Sequence, residues 1–457
     1  MRFSSPGIST TVSAVAIIVV LIVGAGVGYL AGSSGKSSGT VSTTTVTSGT
    51  ATSTVTTTLS SLASSALASG LSGTITLGAL IPQTGAIPTG TAVSTALNMA
   101  ITQLNTNLKA AGITNLQFAI KIDDTQTNPS VALTEMQTLA SQGVKVFLGP
   151  MDSAETSNLL SYADSNHLVL LETGTAATIA NLNNSYRFII VPNDDTETVA
   201  LASIVYSKGF TCAVTLWRDD SWGVPFSQAF DQQFAALGGK VLDNLTYSPS
   251  TSGTVDFTSQ LTQMQTDYSN GQTSCGSGKV AVVAMQFSEL VGALSQAQSY
   301  SSLKNAQWFT DDTEVNDASF APAVGSLGAG VKLEGTSWTT TASQATLNFD
   351  RAYNKTLGHE PSSYELAMYD GVFLAAQAIM IAGKYDGQAV QQVMVPVSQT
   401  FFGISGYMGM NSQGDRGPTD YNVFEMNPTG SSTAAWQNVG TWSFASHQVN
   451  YNTLYRQ

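Results

Sequence analysis

The sequence predicts an α/β protein of two doubly wound Rossmann-like lobes, preceded by a transmembrane helix and a disordered Ser/Thr stalk. Three observations carry that expectation. From residue 73 onward, short runs rich in β-branched and aromatic residues alternate with stretches of helical period. The alternation begins afresh near residue 211, which suits two sheets better than one very wide one. The residues before 73 hold one uncharged apolar run and then a block with almost nothing to bury.

The apolar run VSAVAIIVVLIVGAGVGYLA, at 12–31, is about the length that crosses a bilayer as a helix, and no charge follows it until Lys36. A cleaved secretory signal is the competing reading, but the run is long for one and Arg2 is its only basic lead-in. The run is therefore expected to remain as an anchor, with the rest of the chain on the extracellular face of the cell membrane. The preceding RFSSPGIST resembles archaeal pilin-like signal peptides, which are cut before the apolar stretch so that the helix stays. Residues 32–72 are nearly all Ser, Thr, Gly, Ala and Val and cannot build a core. A stalk of about forty residues reaches at most roughly 130 Å from the bilayer. The expected organisation is thus 1–31 anchor, 32–72 stalk and 73–457 folded body.

Within the body the strand-like runs are TITLGALI (74–81), LQFAIKID (116–123), VKVFLG (144–149), HLVLLET (167–173) and YRFIIV (186–191). The second set is TCAVTLW (211–217), KVLDNLTY (240–247), KVAVVAM (279–285) and AQWFTDD (306–312). Helical stretches separate them, such as 91–108 with Val93, Leu97, Ala100, Ile101 and Leu104 on one face. This βαβ order implies parallel sheets covered on both faces. A third block, 331–457, returns through VKLEGTSW, a helix around Ser363–Ala382, FFGISGYMGM and YNVFEM.

Composition narrows the function. Of 457 residues only 10% are charged, and 30 acidic against 17 basic residues give a net charge of -13 with no Lys/Arg cluster. Nucleic acid is excluded as a partner, since it needs such clusters. The histidines His167, His359 and His447 form no HExxH, Cys/His or Ser-His-Asp pattern, and no P-loop occurs, so the chain is expected to be neither an enzyme nor a cofactor carrier. GKSSG at 35–39 fits G-x-S-x-G but has neither strand before it nor helix after it. The pair Asp123 and Asp124 is expected to close a βα loop rather than act as acid and base. Cys212 opens one strand and Cys275 lies just before another; in a doubly wound order those strands are neighbours, so a disulfide is expected, two buried thiols being the alternative.

Several strings then coincide with one family. TITLGALIPQTGAIPTG, IDDTQTNPSVA, VFLGPMDSAET, YRFIIVPNDD, WRDDSWG, EPSSYELAMYDG and MGMNSQGDRGPTDYNVFEMNPTGSS occur in the order and at spacings similar to those of type I periplasmic-binding proteins for branched-chain amino acids. The resemblance spans about 73–445. It implies interleaved lobes, lobe one about 73–194 plus 341–411 and lobe two about 195–340 plus 412–457, joined by a three-crossover hinge. It implies a small amino acid or amide held between the lobes for an ABC importer whose permease and ATPase are separate chains.

The resemblance also assigns the ligand contacts. The α-carboxylate is expected at the Ser153 hydroxyl and the backbone N–H groups of Gly174 and Ala176, with Thr175 or Thr178 standing in for the hydroxyl that Ala176 lacks. The α-ammonium is expected at Asp312, with Trp222 as an aromatic lid and Gln286 and Phe287 shaping the side-chain pocket. Plainer roles compete: Ser153 as an N-cap, Asp312 as a solvated loop carboxylate, Trp222 as core. Two other functions fit less well. A ligand-sensing ectodomain would need a cytoplasmic output domain, and an adhesin or pilin-like protein would need a β-rich body.

Overall fold

A computed structural model describes residues 42–48, 51–57 and 71–452, apart from 88, 177–184, 250–253, 329 and 341. The apolar run at 12–31 and most of the stalk, with its GKSSG, lie outside the described residues. Inside the stalk the expectation of disorder is corrected at one place: Ser42–Ser48 pairs antiparallel with Ala51–Thr57. Both segments are dominated by Thr and Val, whose branched side chains favour extended, paired backbone.

Lobe one begins with β1 (Gly73–Ile81), α1 (Gly90–Ala110), β2 (Leu116–Asp124), α2 (Pro129–Ser141), β3 (Val146–Leu148), α3 (Ser153–Ser165), β4 (Val169–Glu172) and β5 (Arg187–Ile189). The strands form one parallel sheet in the order β2-β1-β3-β4-β5. VFL of β3 and VLLE of β4 are buried throughout, as central parallel strands must be when helices cover both faces. Val93, Ala96, Leu97, Ala100, Leu104 and Leu108 form the buried stripe of α1. The N-terminus of α2 is set by Asn128, whose side chain accepts from the N–H groups of Ser130 and Val131 ahead of Pro129. Asp124 closes its loop by accepting from the Gln83 N–H at 2.9 Å and the Thr84 hydroxyl at 2.7 Å.

The chain then crosses into lobe two: α4 (Asp194–Ser207), β6 (Cys212–Arg218), α5 (Gly223–Ala236), β7 (Lys240–Tyr247), α6 (Thr258–Ser274), β8 (Val280–Met285), α7 (Leu290–Ala297), β9 (Gln307–Thr310), α8 (Asp312–Val315), α9 (Phe320–Gly325) and β10 (Lys332–Trp338). The parallel order β7-β6-β8-β9-β10 repeats the winding of lobe one. Cys212 at the start of β6 and Cys275 after α6 are joined as a disulfide, their Cα atoms 6.4 Å apart.

After β10 the chain returns to lobe one through α10 (Gln344–Leu357), α11 (Ser363–Ala382), α12 (Gly387–Ser398) and a small hairpin of β11 (Phe402–Gly403) and β12 (Gly406–Tyr407). By length and apolar composition α11 could span a membrane, yet it is mostly buried inside lobe one, where Met368, Val372, Leu374 and Ile379 pack into the core with Leu77 and Val146. A third crossing leads to β13 (Tyr421–Pro428), β14 (Ala434–Ser443) and β15 (Gln448–Tyr451), which add three antiparallel strands to the lobe-two sheet. The sequence reading stopped at YNVFEM and missed the last two of these. Most of β14 is partly or fully exposed, so it shows no continuous apolar run.

The third crossover falls after Arg416 rather than at 411. The Ile189 N–H donates to Gly414 C=O at 2.9 Å and the Arg416 N–H to Ile189 C=O at 3.1 Å, which holds 414–416 on the edge of the lobe-one sheet.

Candidate functional site

Both sheets point the carboxyl ends of their parallel strands at the space between the lobes, where open α/β sheets place their ligands. That space measures about 580 Å³ including its mouth. Of the residues assigned from sequence, Ser153, Thr175, Trp222, Phe287 and Asp312 line it, and Gly174, Ala176 and Gln286 do not.

On the lobe-one wall, the N-cap of α3 is Asp152 and not Ser153: its carboxylate accepts from the Glu155 N–H at 3.0 Å and from Ala154. The Ser153 hydroxyl is thereby released from capping. It accepts the Ala176 N–H at 3.2 Å, which leaves its own hydrogen to be donated into the cavity. The expected backbone donors are corrected, because both N–H groups are spent inside the lobe, that of Gly174 on Glu172 Oε2 and that of Ala176 on Ser153. Thr175 lines the cavity, and its C=O accepts the Asp194 N–H at 3.1 Å. Thr178 lies outside the described residues.

On the lobe-two wall, Trp222 precedes α5 and stacks on Phe287, ring centroids 4.8 Å apart. Its ring also packs on Phe226, centroids 5.5 Å apart, while lining the cavity. Phe287 continues the β8 row of Ala281, Val283 and Met285, which packs in the same apolar cluster as Trp222. Gln286 falls on the opposite face by the two-residue period of a strand, fully buried, with no partner for its side-chain amide among the described residues.

Asp312 is the first residue of α8, and Asp311 before it is the N-cap, accepting from the Thr313 N–H at 2.9 Å. The two share a turn instead of facing opposite sides of a strand. Asp312 is 5% exposed and accepts from the Tyr364 hydroxyl at 3.3 Å. Tyr364 belongs to lobe one, at the start of α11, and was not anticipated. Beside it Asn316 Oδ1 accepts from the Ser363 hydroxyl at 3.0 Å and the Ser337 hydroxyl at 3.1 Å. The capping box formed by Ser362 and Glu365 announces where α11 starts. It gives no sign that this end meets a turn fifty residues earlier across the cleft.

The site is electronegative. No Lys, Arg or His lines the cavity among the described residues, and no group of three or more acidic, His or Cys side chains there is arranged to hold a metal ion. Burial first, and then the neighbouring carboxylates Asp311 and Asp194, push the Asp312 carboxyl well above its usual range. Burial likewise raises Asp194 to about 8 and Asp311 to about 7. These groups bind protons in the folded, ligand-free protein that the unfolded chain has already released above pH 4, so their contribution to stability is lost as pH rises. The ligand-free melting temperature should therefore fall between pH 5 and pH 8, and a ligand bearing an ammonium group should flatten the slope. A calorimetric pH series with no such fall would overturn this account.

The sequence profile of the receptor family ligand binding region matches residues 92–429. The chain belongs to that family. An uncharacterized protein of Methanocaldococcus jannaschii is 24% identical over 396 residues, 82% of this chain and 91% of that one. The chemotactic signal transduction system substrate-binding protein BasB of Halobacterium salinarum is 26% identical over 189 residues, 39% of this chain and 44% of its own. Among solved structures, the leucine binding protein LivK of Thermotoga maritima shares the fold with a TM-score of 0.68 at 17% identity, covering 81% of this chain and 99% of that one. The branched-chain amino acid transporter substrate binding protein LivJ of Streptococcus pneumoniae, in complex with isoleucine, has the same fold with a TM-score of 0.64 at 20% identity, covering 80% of this chain and all of that one. So does an ABC transporter solute binding protein of Rhodopseudomonas palustris in complex with 3,4-dihydroxy benzoic acid, with a TM-score of 0.64 at 16% identity, covering 81% of this chain and 97% of that one. The fold is the two-lobed type I periplasmic-binding-protein fold, and the solved relatives are binding proteins rather than enzymes.

Proposed function

We propose that this chain is the substrate-binding protein of an ABC importer, anchored on the extracellular face of the membrane by its N-terminal helix, and that it captures a neutral amino acid or its amide between the lobes. One observation carries the reading: Asp312 is buried at the cavity with a tyrosine hydroxyl as its hydrogen-bond donor and no lining cation among the described residues. An α-ammonium supplies the missing charge. The Ser153 hydroxyl offers an α-carboxylate a donor from the opposite lobe. Trp222, Phe287, Met151 and Ile87 leave apolar surface for the side chain. An aromatic acid without an ammonium would leave Asp312 unpaired, so anionic acids should bind worst.

Calorimetry of the full chain against neutral amino acids, amides and aromatic acids tests the reading. Tight binding of an aromatic acid with none of any amino acid would overturn it. Ser153→Ala removes one charge-assisted hydrogen bond among several and should cost about 1.5–3 kcal/mol in amino-acid affinity. A dissociation constant unchanged in that variant would remove Ser153 from the carboxylate site. Likeness to BasB favours a second reading, in which the liganded protein is read by a separate chemotactic transducer; transport into cells and a behavioural response to the same ligand separate the two.

A further inference from the structure

Asp415 and Arg416 do not line the cavity. We propose that they couple the ligand loop 173–176 to the hinge, so that loop position and lobe closure are set together. This rests on the binding function proposed above.

Arg416 is buried and meets all three crossovers. It donates to the C=O of Ile190 in the first at 2.9 Å, and its guanidinium lies over Trp338 at the start of the second, 4.9 Å from the ring centroid. It is itself the start of the third, and it holds the β11–β12 hairpin through the C=O groups of Ser405 at 3.0 Å and Tyr407 at 3.1 Å. Closure rotates the lobes about these three segments, so each must change together.

Asp415, the residue before this hub, leads back to the ligand loop. Its carboxylate accepts from Arg187 Nη2 at 2.5 Å, and Arg187 Nη1 lies 3.6 Å from Glu172 Oε1. The other oxygen of Glu172 accepts from the Gly174 N–H and from the Thr156 hydroxyl at 3.0 Å. Gly174 is tightly packed: a Cβ there would stand 2.8 Å from Thr156 Oγ1, 2.9 Å from Glu172 Oε2 and 3.0 Å from the Ser153 Cα. Glu172 and Arg187 are fully buried, so water cannot substitute for a lost partner. A movement of 415 is thus passed to Arg187, to Glu172 and to the loop that carries Thr175 beside Ser153. Asp415 and Glu172 act as positioning residues.

Amide hydrogen exchange on the full chain tests the coupling without a ligand. Asp415→Asn frees Arg187 to swing, and exchange should quicken about tenfold or more in 173–176 as well as in 411–416, although Asp415 bonds to none of the loop residues. Glu172→Gln should quicken 411–416 in return, because coupling is reciprocal; either variant suffices if the other does not fold. In titrations with L-isoleucine, Asp415→Asn should raise the dissociation constant about tenfold with stoichiometry near one, whereas partial unfolding would lower the stoichiometry instead. Unchanged exchange in 173–176 alongside altered exchange in 411–416 would overturn the proposal. Failure of wild-type protein to bind any amino acid would sink the binding reading, and the exchange comparison would still decide the coupling.

Discussion

Asp312→Ala is expected to weaken binding of a neutral amino acid by roughly 2–5 kcal/mol, about 30-fold to a few thousand-fold. The ligand ammonium would then be desolvated in the cleft against the Tyr364 hydroxyl alone. The same change should act in the opposite direction on the ligand-free protein. It removes one of a set of mutually repelling buried carboxyls, Asp194, Glu197, Asp311 and Asp312, so melting temperature at pH 7–8 should hold or rise while affinity collapses. That opposition separates loss of a contact from loss of the fold. Calorimetry paired with thermal melts reads both, and a dissociation constant within threefold of wild type would remove Asp312 from the site.

Breaking the disulfide should cost about 4 kcal/mol of stability on the chain-entropy model, since Cys212 and Cys275 are 63 residues apart in sequence. Cys212 pairs with Val280 at the amino ends of β6 and β8, while the cavity lies at the carboxyl ends of the sheet. The double variant Cys212→Ala, Cys275→Ala should therefore unfold at lower urea with ligand affinity little changed. Coincident unfolding curves for the oxidised protein and the variant would reject the stabilising role.

The architecture was legible because its signals are local. Val280–Met285 and Val169–Glu172 could only be buried strands, and Ser363–Ala382 begins and ends as its capping residues and glycine indicate. Ser153, Trp222 and Asp312, which follow β3, β6 and β9, were placed by the resemblance, and all three line the cleft. The errors came where a side chain's direction or partner was needed. Gln286 was placed one residue out of phase with the strand. Gly174 and Ala176 were credited with donors that Glu172 and Ser153 consume, and nothing in VLLETGTAAT marks a glutamate turned inward onto its own loop. Tyr364, Asn316 and Arg416 owe their roles to segments 47 to 226 residues distant, which periodicity within a window cannot see.

The interleaving of the lobes has a consequence for how the molecule is made. The lobe-one sheet is complete in the chain once β5 has emerged, yet α11, which fills its core, follows about 170 residues later, after the whole parallel sheet of lobe two. At translation rates of ~5–20 residues per second, the half-made lobe keeps an apolar face uncovered for on the order of ten to thirty seconds. Its exposure to aggregation is thus fixed by the order of synthesis. A variant that leaves the finished protein as stable as before, but slows production of 190–363, should reduce yield.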